Sequence, residues 1–182
     1  MVMISADPIE ISPAEFELAV KGILDAASES LVSYQSKHLD ALSAADGDYI
    51  IDVTATFKAL GAEFCVLVEC KHHKRKVERQ DVQVLHAKLL SLGAQKAMLF
   101  STSAFQSGAI EFADAHGIAL VQLASGASTW FTRSAGETSP PPAWANNSTY
   151  VGWWHHGNCR TVLSDERAEY IRQALGIPQL EP

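Results

Sequence analysis

Hydrophobic positions along the chain change their period in an order that predicts a fold. Ser12-Pro13-Ala14-Glu15 is a capping box with proline at the first helical position, and Phe16, Val20, Ile23, Ala27 and Leu31 follow at helical spacing. An amphipathic helix is expected there. Two apolar runs rich in Val, Ile and Phe, from Tyr49 to Phe57 and from Phe64 to Cys70, flank the short connector Lys58–Glu63 with its single glycine. They read as two antiparallel strands of one hairpin. Val82, Leu85, Leu89 and Leu90 then define a helix from Arg79 to Leu92 that stops at Gly93, and residues 97–102 form a short buried strand. Ser103 is placed to cap a further helix through His116, closed by Gly117, ahead of a strand from Ile118 to Leu123. Residues 33–48 carry a weak pattern: Leu39-Asp40-Ala41-Leu42 fits either a short strand or the tail of the first helix, and Ala45–Asp48 reads as a turn. Helix, hairpin, helix, strand, helix, strand builds an α/β domain of three layers, with a mixed central sheet flanked by helices.

The pattern changes after Ala124, where Ser, Thr, Gly and Ala lead into Ser139-Pro140-Pro141-Pro142. This divides the chain into a main domain over 1–124 and a C-terminal extension over 125–182, with a Pro-rich linker, an aromatic segment and a short helix from Ser164 to about Gly176. A chain of 182 residues, 47% hydrophobic, is long enough for one full core. No secretory leader or bilayer-length apolar run is visible, so a cytoplasmic protein without membrane contact is expected. Cys65, Cys70 and Cys159 imply no disulfide framework, and the first two read as small core residues. The formal charge of −7 argues against a strong general DNA binder. Its distribution softens that objection, because Lys71-His72-His73-Lys74-Arg75-Lys76 and Arg79 form a basic block.

Candidate chemistry sits directly before that block. Folding the hairpin symmetrically about its connector sets Asp52 opposite Glu69, with β-carbons roughly 5 Å apart, and Lys71 on the same face as Glu69 while Cys70 points away. Opposed carboxylates cost stability unless a cation lies between them, and oxygen donors suit a hard ion such as Mg²⁺, with Mn²⁺ as a substitute. Asp52 and Glu69 are the expected ligands, with Lys71 beside them. The plainer alternative is a salt bridge at a strand end. His72, His73, His155, His156 and Cys159 lack the paired spacing of a zinc motif, and Trp153 and Trp154 read as packing anchors before base-stacking residues.

An Asp on one strand, Glu-x-Lys at the end of its hairpin partner, then helix, strand, helix and strand resembles the PD-(D/E)xK nucleases, and within them the Mrr-like restriction endonucleases. The matching stretches are Gly47–Asp52, Val68-Glu69-Cys70-Lys71, Gly93–Ala97, Ser101–Ile110 and Gly117–Leu120. Many Mrr-like proteins carry Gln where Glu69 stands, and the acidic form is the stronger metal ligand. The resemblance implies a metal-dependent DNA endonuclease of the restriction or defence kind, in which Asp52, one oxygen of Glu69 and the carbonyl of Cys70 hold the ion and Lys71 orients a water or stabilises phosphate charge. It also implies a first-helix glutamate near the metal, for which Glu17 fits better than the capping Glu15, and a polar residue on the helix after the hairpin, best matched by Gln83. Two alternatives stay open: an idle binding or assembly module of the same fold, and a structure-selective junction or repair nuclease. DNA is the expected partner. One site per chain and two strands per duplex suggest a homodimer, and a separate chain supplying specificity is the other arrangement considered.

Overall fold

The computed structural model describes residues 9, 11–28, 31–125, 150–156, 159–163 and 173. Among the described residues the core is one seven-stranded sheet in the order β1-β2-β3-β4-β5-β6-β7. Chain order is α1 (Pro13–Ala27), β1 (Val32–Ala44), β2 (Gly47–Ala59), β3 (Ala62–Lys71), α2 (Arg79–Leu92), β4 (Lys96–Ser101), α3 (Ser107–Ala115), β5 (Ala119–Ser125), β6 (Tyr150–His156) and β7 (Cys159–Leu163). The first three strands run antiparallel, β3, β4 and β5 are parallel neighbours through helical crossovers, and β5, β6 and β7 are again antiparallel. The expected mixed, three-layer α/β architecture is therefore present.

Alternation along the strands feeds two cores. Phe16, Val20, Leu24 and Ala27 of α1 pack on Val53, Ala55, Phe57, Val66, Val68, Met98, Phe100 and Val121 on one face. On the other face, Val82 and Leu85 of α2 and Ala109 and Ala113 of α3 cover Ile51, Leu67, Ala97, Leu99 and Leu120. Helix α1 starts as the sequence requires, with Ser12 accepting from the Glu15 amide and Glu15 reaching back to the Ser12 amide at 2.8 Å. It stops at Ala27, so Leu31 lies beyond it and packs on the α1-side core from the following segment. Gly93, at φ 64°, closes α2 in the left-handed conformation that glycine adopts without strain.

Four details differ from the sequence reading. Residues 32–44 form a thirteen-residue edge strand, whose periodic half-exposure never reaches full burial and so leaves no apolar signature. The hairpin strands run closer together than the connector suggested, joined only by Leu60 and Gly61, both at positive φ, as in a type I′ turn. Ser103 does not cap α3. Its hydroxyl donates to the Arg75 carbonyl and its amide to Ser101 Oγ, while Gln106 is the capping position. Finally, the aromatic segment supplies β6, which pairs with β5 and buries Trp154 in the α1-side core. The Pro-rich linker and, apart from Gln173, the helix expected from Ser164 lie outside the described residues, as does the Trp153 side chain.

Candidate active site at the strand fork

The β2–β3 ladder keeps the expected register from Ala59 opposite Ala62 to Val53 opposite Val68, and ends there. At this point β2 bends. Val53, Ala55 and Phe57 belong to the α1-side core, whereas Ile51 lies in the α2-side core with Tyr49 packed against it. Across the β1–β2 ladder, Leu39 sits between the paired residues His38 and Asp40 at φ 50°, the left-handed region. The outer half of the hairpin thereby leans towards α2, where Asp46 accepts a 2.7 Å hydrogen bond from Ser91.

The bend opens a fork between β2 and β3, and Asp52 fills it. The Cys70 amide donates to Asp52 Oδ2 at 2.7 Å, replacing the ladder bond that the diverging strands no longer make. Burial raises the Asp52 carboxyl above the usual aspartate range; the Cys70 amide and Lys71 oppose that rise, while Glu69 and Glu17 add to it. Glu69 is itself buried, and its two oxygens have different neighbours. Lys88 Nζ on α2 lies 2.5 Å from Oε1, and Lys71 Nζ lies 4.0 Å from Oε2. Lys71 thus shares the face of Glu69, while Cys70 packs towards the α1 side, with burial driving its thiol well above the ordinary range. The end of β3 is held by the Thr102 amide, which donates to the Lys71 carbonyl at 3.1 Å, and by Ser101 Oγ at 3.2 Å.

Glu17 approaches from α1. Its carboxylate pairs with His38 Nε2 of β1 at 2.7 Å, and its charge is felt at both Asp52 and Cys70. Glu15, by contrast, is used by the helix cap. Asp52, Glu69, Lys71 and Glu17 are therefore brought into one neighbourhood. Gln83 is not brought in on the same terms: it is exposed on α2. In the basic block, Arg75 is committed to Glu78 at 3.1 Å and Asp81 at 3.5 Å, and Arg79 lies over the Phe112 ring, while Lys74 and Lys76 are exposed. Two residues of the site escaped the sequence reading. Lys88 follows Leu85 by three positions in the stripe that continues through Leu89 and Leu92, so a lysine at a semi-buried helical position was its signal. His38 lies in the strand whose pattern was too polar to recognise.

A cation fits the chemistry of these donors, since carboxylates from two strands and a helix share one neighbourhood, and burial, with Glu69 and Glu17 adding to it, holds Asp52 back from ionising. The donors are not preassembled around one point: among the described residues, no group of three or more His, Cys, Asp or Glu side chains is placed to hold a metal ion.

The model of the Mrr catalytic-domain family, described as restriction endonuclease, matches residues 9–126, well over half of the chain. The chain belongs to this family, and with it to the PD-(D/E)xK, restriction-endonuclease-like nucleases. Among solved structures it is similar to a protein of unknown function, AF1548, at 19% identity and TM-score 0.48, covering 59% of this chain and 55% of that one. It is also similar to the DNA modification-dependent restriction endonuclease AspBHI, at 16% identity and TM-score 0.42, covering 60% of this chain and 28% of the other. The chain thus spans less than two thirds of either. No curated protein matches it. None of the described helices is long and apolar enough to cross a membrane.

Proposed function

We propose that the protein is a divalent-metal-dependent DNA endonuclease, acting in restriction of foreign DNA. The observation that carries this reading is the fork itself: a buried aspartate whose carboxylate is tied to the Cys70 amide, beside Glu69 and within one neighbourhood of Lys71 and Glu17. Asp52, Glu69 Oε2 and the Cys70 carbonyl would hold Mg²⁺ or Mn²⁺. Bound there, the ion would supply an acidified water and neutralise charge on the attacked phosphate. Lys71 would orient the attacking water or hydrogen-bond a non-bridging phosphate oxygen as the water oxygen bonds to phosphorus and the P–O ester bond breaks. Glu17, fixed by His38, would keep a negative charge on the α1 side. Lys74 and Lys76 would track the DNA backbone by phosphate contact without reading bases.

The test is cleavage of supercoiled plasmid, methylated and unmethylated, with Mg²⁺ or Mn²⁺, by the intact protein and by Lys71→Ala and Asp52→Ala. Nicking or linearisation by the intact protein, lost in both variants, supports the reading. No product on plasmid, junction or flap DNA, together with no metal uptake in calorimetry, would replace it with an idle binding module. Cleavage of a duplex at both strands is most simply met by a two-fold dimer, which sedimentation at working concentration would reveal.

A further inference from the structure

Glu69 is the one carboxylate of the fork that already has a strong cationic partner, and that partner is not the lysine of the Glu-x-Lys signature. Lys88 approaches it across the sheet–helix interface with 19% of its side chain exposed, against 10% for Glu69. Its ammonium lies 2.5 Å from Oε1, much closer than the 4.0 Å from Lys71 to Oε2. Asp52, by contrast, is held by the Cys70 backbone amide. The acidic side chains of the fork are therefore partnered unequally: Glu69 by the Lys88 ammonium, Glu17 by the His38 ring, and Asp52 by a backbone amide.

We propose that Lys88 is the resident counter-ion of the site, a positioning residue whose ammonium competes with a divalent cation for Glu69 and restricts that cation to the Oε2 side. The inference deepens the endonuclease reading and rests on it. Two physical consequences follow from the contact. An oxygen already bonded to an ammonium has lost much of its donor capacity, so Glu69 offers one oxygen in a fixed orientation. In addition, a positive charge held on the same carboxylate as an incoming dication opposes it more strongly here than on an open surface, because both carboxylate and amine are largely withdrawn from water. Lys88 thus trades metal affinity for a defined ligand geometry.

This makes a prediction opposite in sign to that of a simple structural salt bridge. Lys88→Met should bind Mn²⁺ more tightly than the intact protein, on the order of tenfold, because a competing charge is gone. Cleavage at saturating metal should nevertheless fall, because Glu69 is no longer oriented. Lys88→Arg, which keeps the charge, should retain the original affinity. Lys88→Gln keeps a donor to Oε1 without the charge and should tighten binding as Lys88→Met does; it serves if that variant fails to fold. Mn²⁺ uptake by the full-length protein is read from the electron paramagnetic resonance signal of the free ion, with Asp52→Asn as the control for binding at this site. Unchanged or weaker uptake in folded Lys88→Met and Lys88→Gln, with the intact protein binding and Asp52→Asn deficient, would overturn the counter-ion role and leave the endonuclease reading standing. No uptake by the intact protein or any variant would overturn both.

Discussion

Replacing Asp52 by asparagine should make the protein more stable at neutral pH and inactive at once. Burial, Glu69 and Glu17 together raise the Asp52 carboxyl above its ordinary range, outweighing the Cys70 amide and Lys71. The folded protein therefore binds the Asp52 proton more tightly than the unfolded chain does, and its ionised form at neutral pH subtracts from stability. Asparagine removes the charge while its carbonyl oxygen still accepts from the Cys70 amide, so the fork stays closed. Part of the carboxylate reaches solvent, which screens the repulsion, and a gain of about 0.5–1 kcal/mol is expected. For a chain of this length that is a rise of roughly 2–4 °C in Tm per kcal/mol. The gain has a pH signature: it is full above the raised pKa, shrinks as pH falls through it, and vanishes below about pH 4, where aspartate is protonated in both folded and unfolded chains. Circular dichroism melts of both proteins from neutral to acid pH measure it. A variant less stable than the original at neutral pH, or a gain that persists unchanged in acid, would refute the account of Asp52 as a crowded carboxylate kept for function.

Other perturbations separate the scaffold from the chemistry. Leu60 stands fully exposed at φ 51° in the β2–β3 turn, so Leu60→Asn loses no packing and relieves a left-handed leucine; denaturant titration should show a gain of about 0.5–1 kcal/mol with cleavage unchanged. Gly93→Ala meets no neighbour within 4 Å but is forced to φ 64°, and should cost about 1 kcal/mol in the same assay. Phe16→Ala empties a wholly buried position under the sheet and should cost about 3–5 kcal/mol, enough to lower Tm by many degrees. His38→Ala frees Glu17 from its 2.7 Å partner and should reduce cleavage while leaving the melting temperature within a few degrees, since the pair is small compared with the α1 core; loss of folding instead would make the pair structural.

What the sequence disclosed follows from where burial is complete. The α1 cap, the close of α2 at Gly93, the buried strands β3 and β4 and the hairpin register all rest on apolar periodicity or on a glycine that a turn requires, and each is legible without coordinates. Alternation along β3 alone placed Glu69 and Lys71 on a common face. Strand β1 stayed hidden because a half-exposed edge strand reads Ser-Tyr-Gln-Ser-Lys-His, with nothing to mark an inner face. Strand β6 stayed hidden because it follows a Pro-rich stretch that reads as a boundary, although its pairing with β5 makes it part of the same sheet. The contacts of the site were lost with these elements: His38 lies on β1, and the pairing of Lys88 with Glu69 depends on how α2 crosses β3, which no local spacing encodes.

The bend at Asp52 joins these two kinds of information. An ideal hairpin would continue its ladder through Asp52 and Glu69, leave the Cys70 amide bonded to backbone, and hold both carboxylates fixed on one face. Instead, β2 turns its outer half towards α2, carries Ile51 into the α2-side core, and exchanges a ladder bond for a bond from the Cys70 amide to the Asp52 side chain. Burial of Ile51 and the anchor from Ser91 to Asp46 stabilise that divergence from the far side of the fork. The aspartate is thus positioned by a break in regular structure, and the packing that sustains the break lies away from the carboxylate. Substitutions such as Ile51→Ala should therefore impair cleavage beyond what their loss of stability explains, because they relax the bend as well as empty the core. Cleavage measured at a temperature where the variant remains fully folded distinguishes the two effects, and activity equal to the original there would show that the fork is held by Asp52 and Cys70 alone.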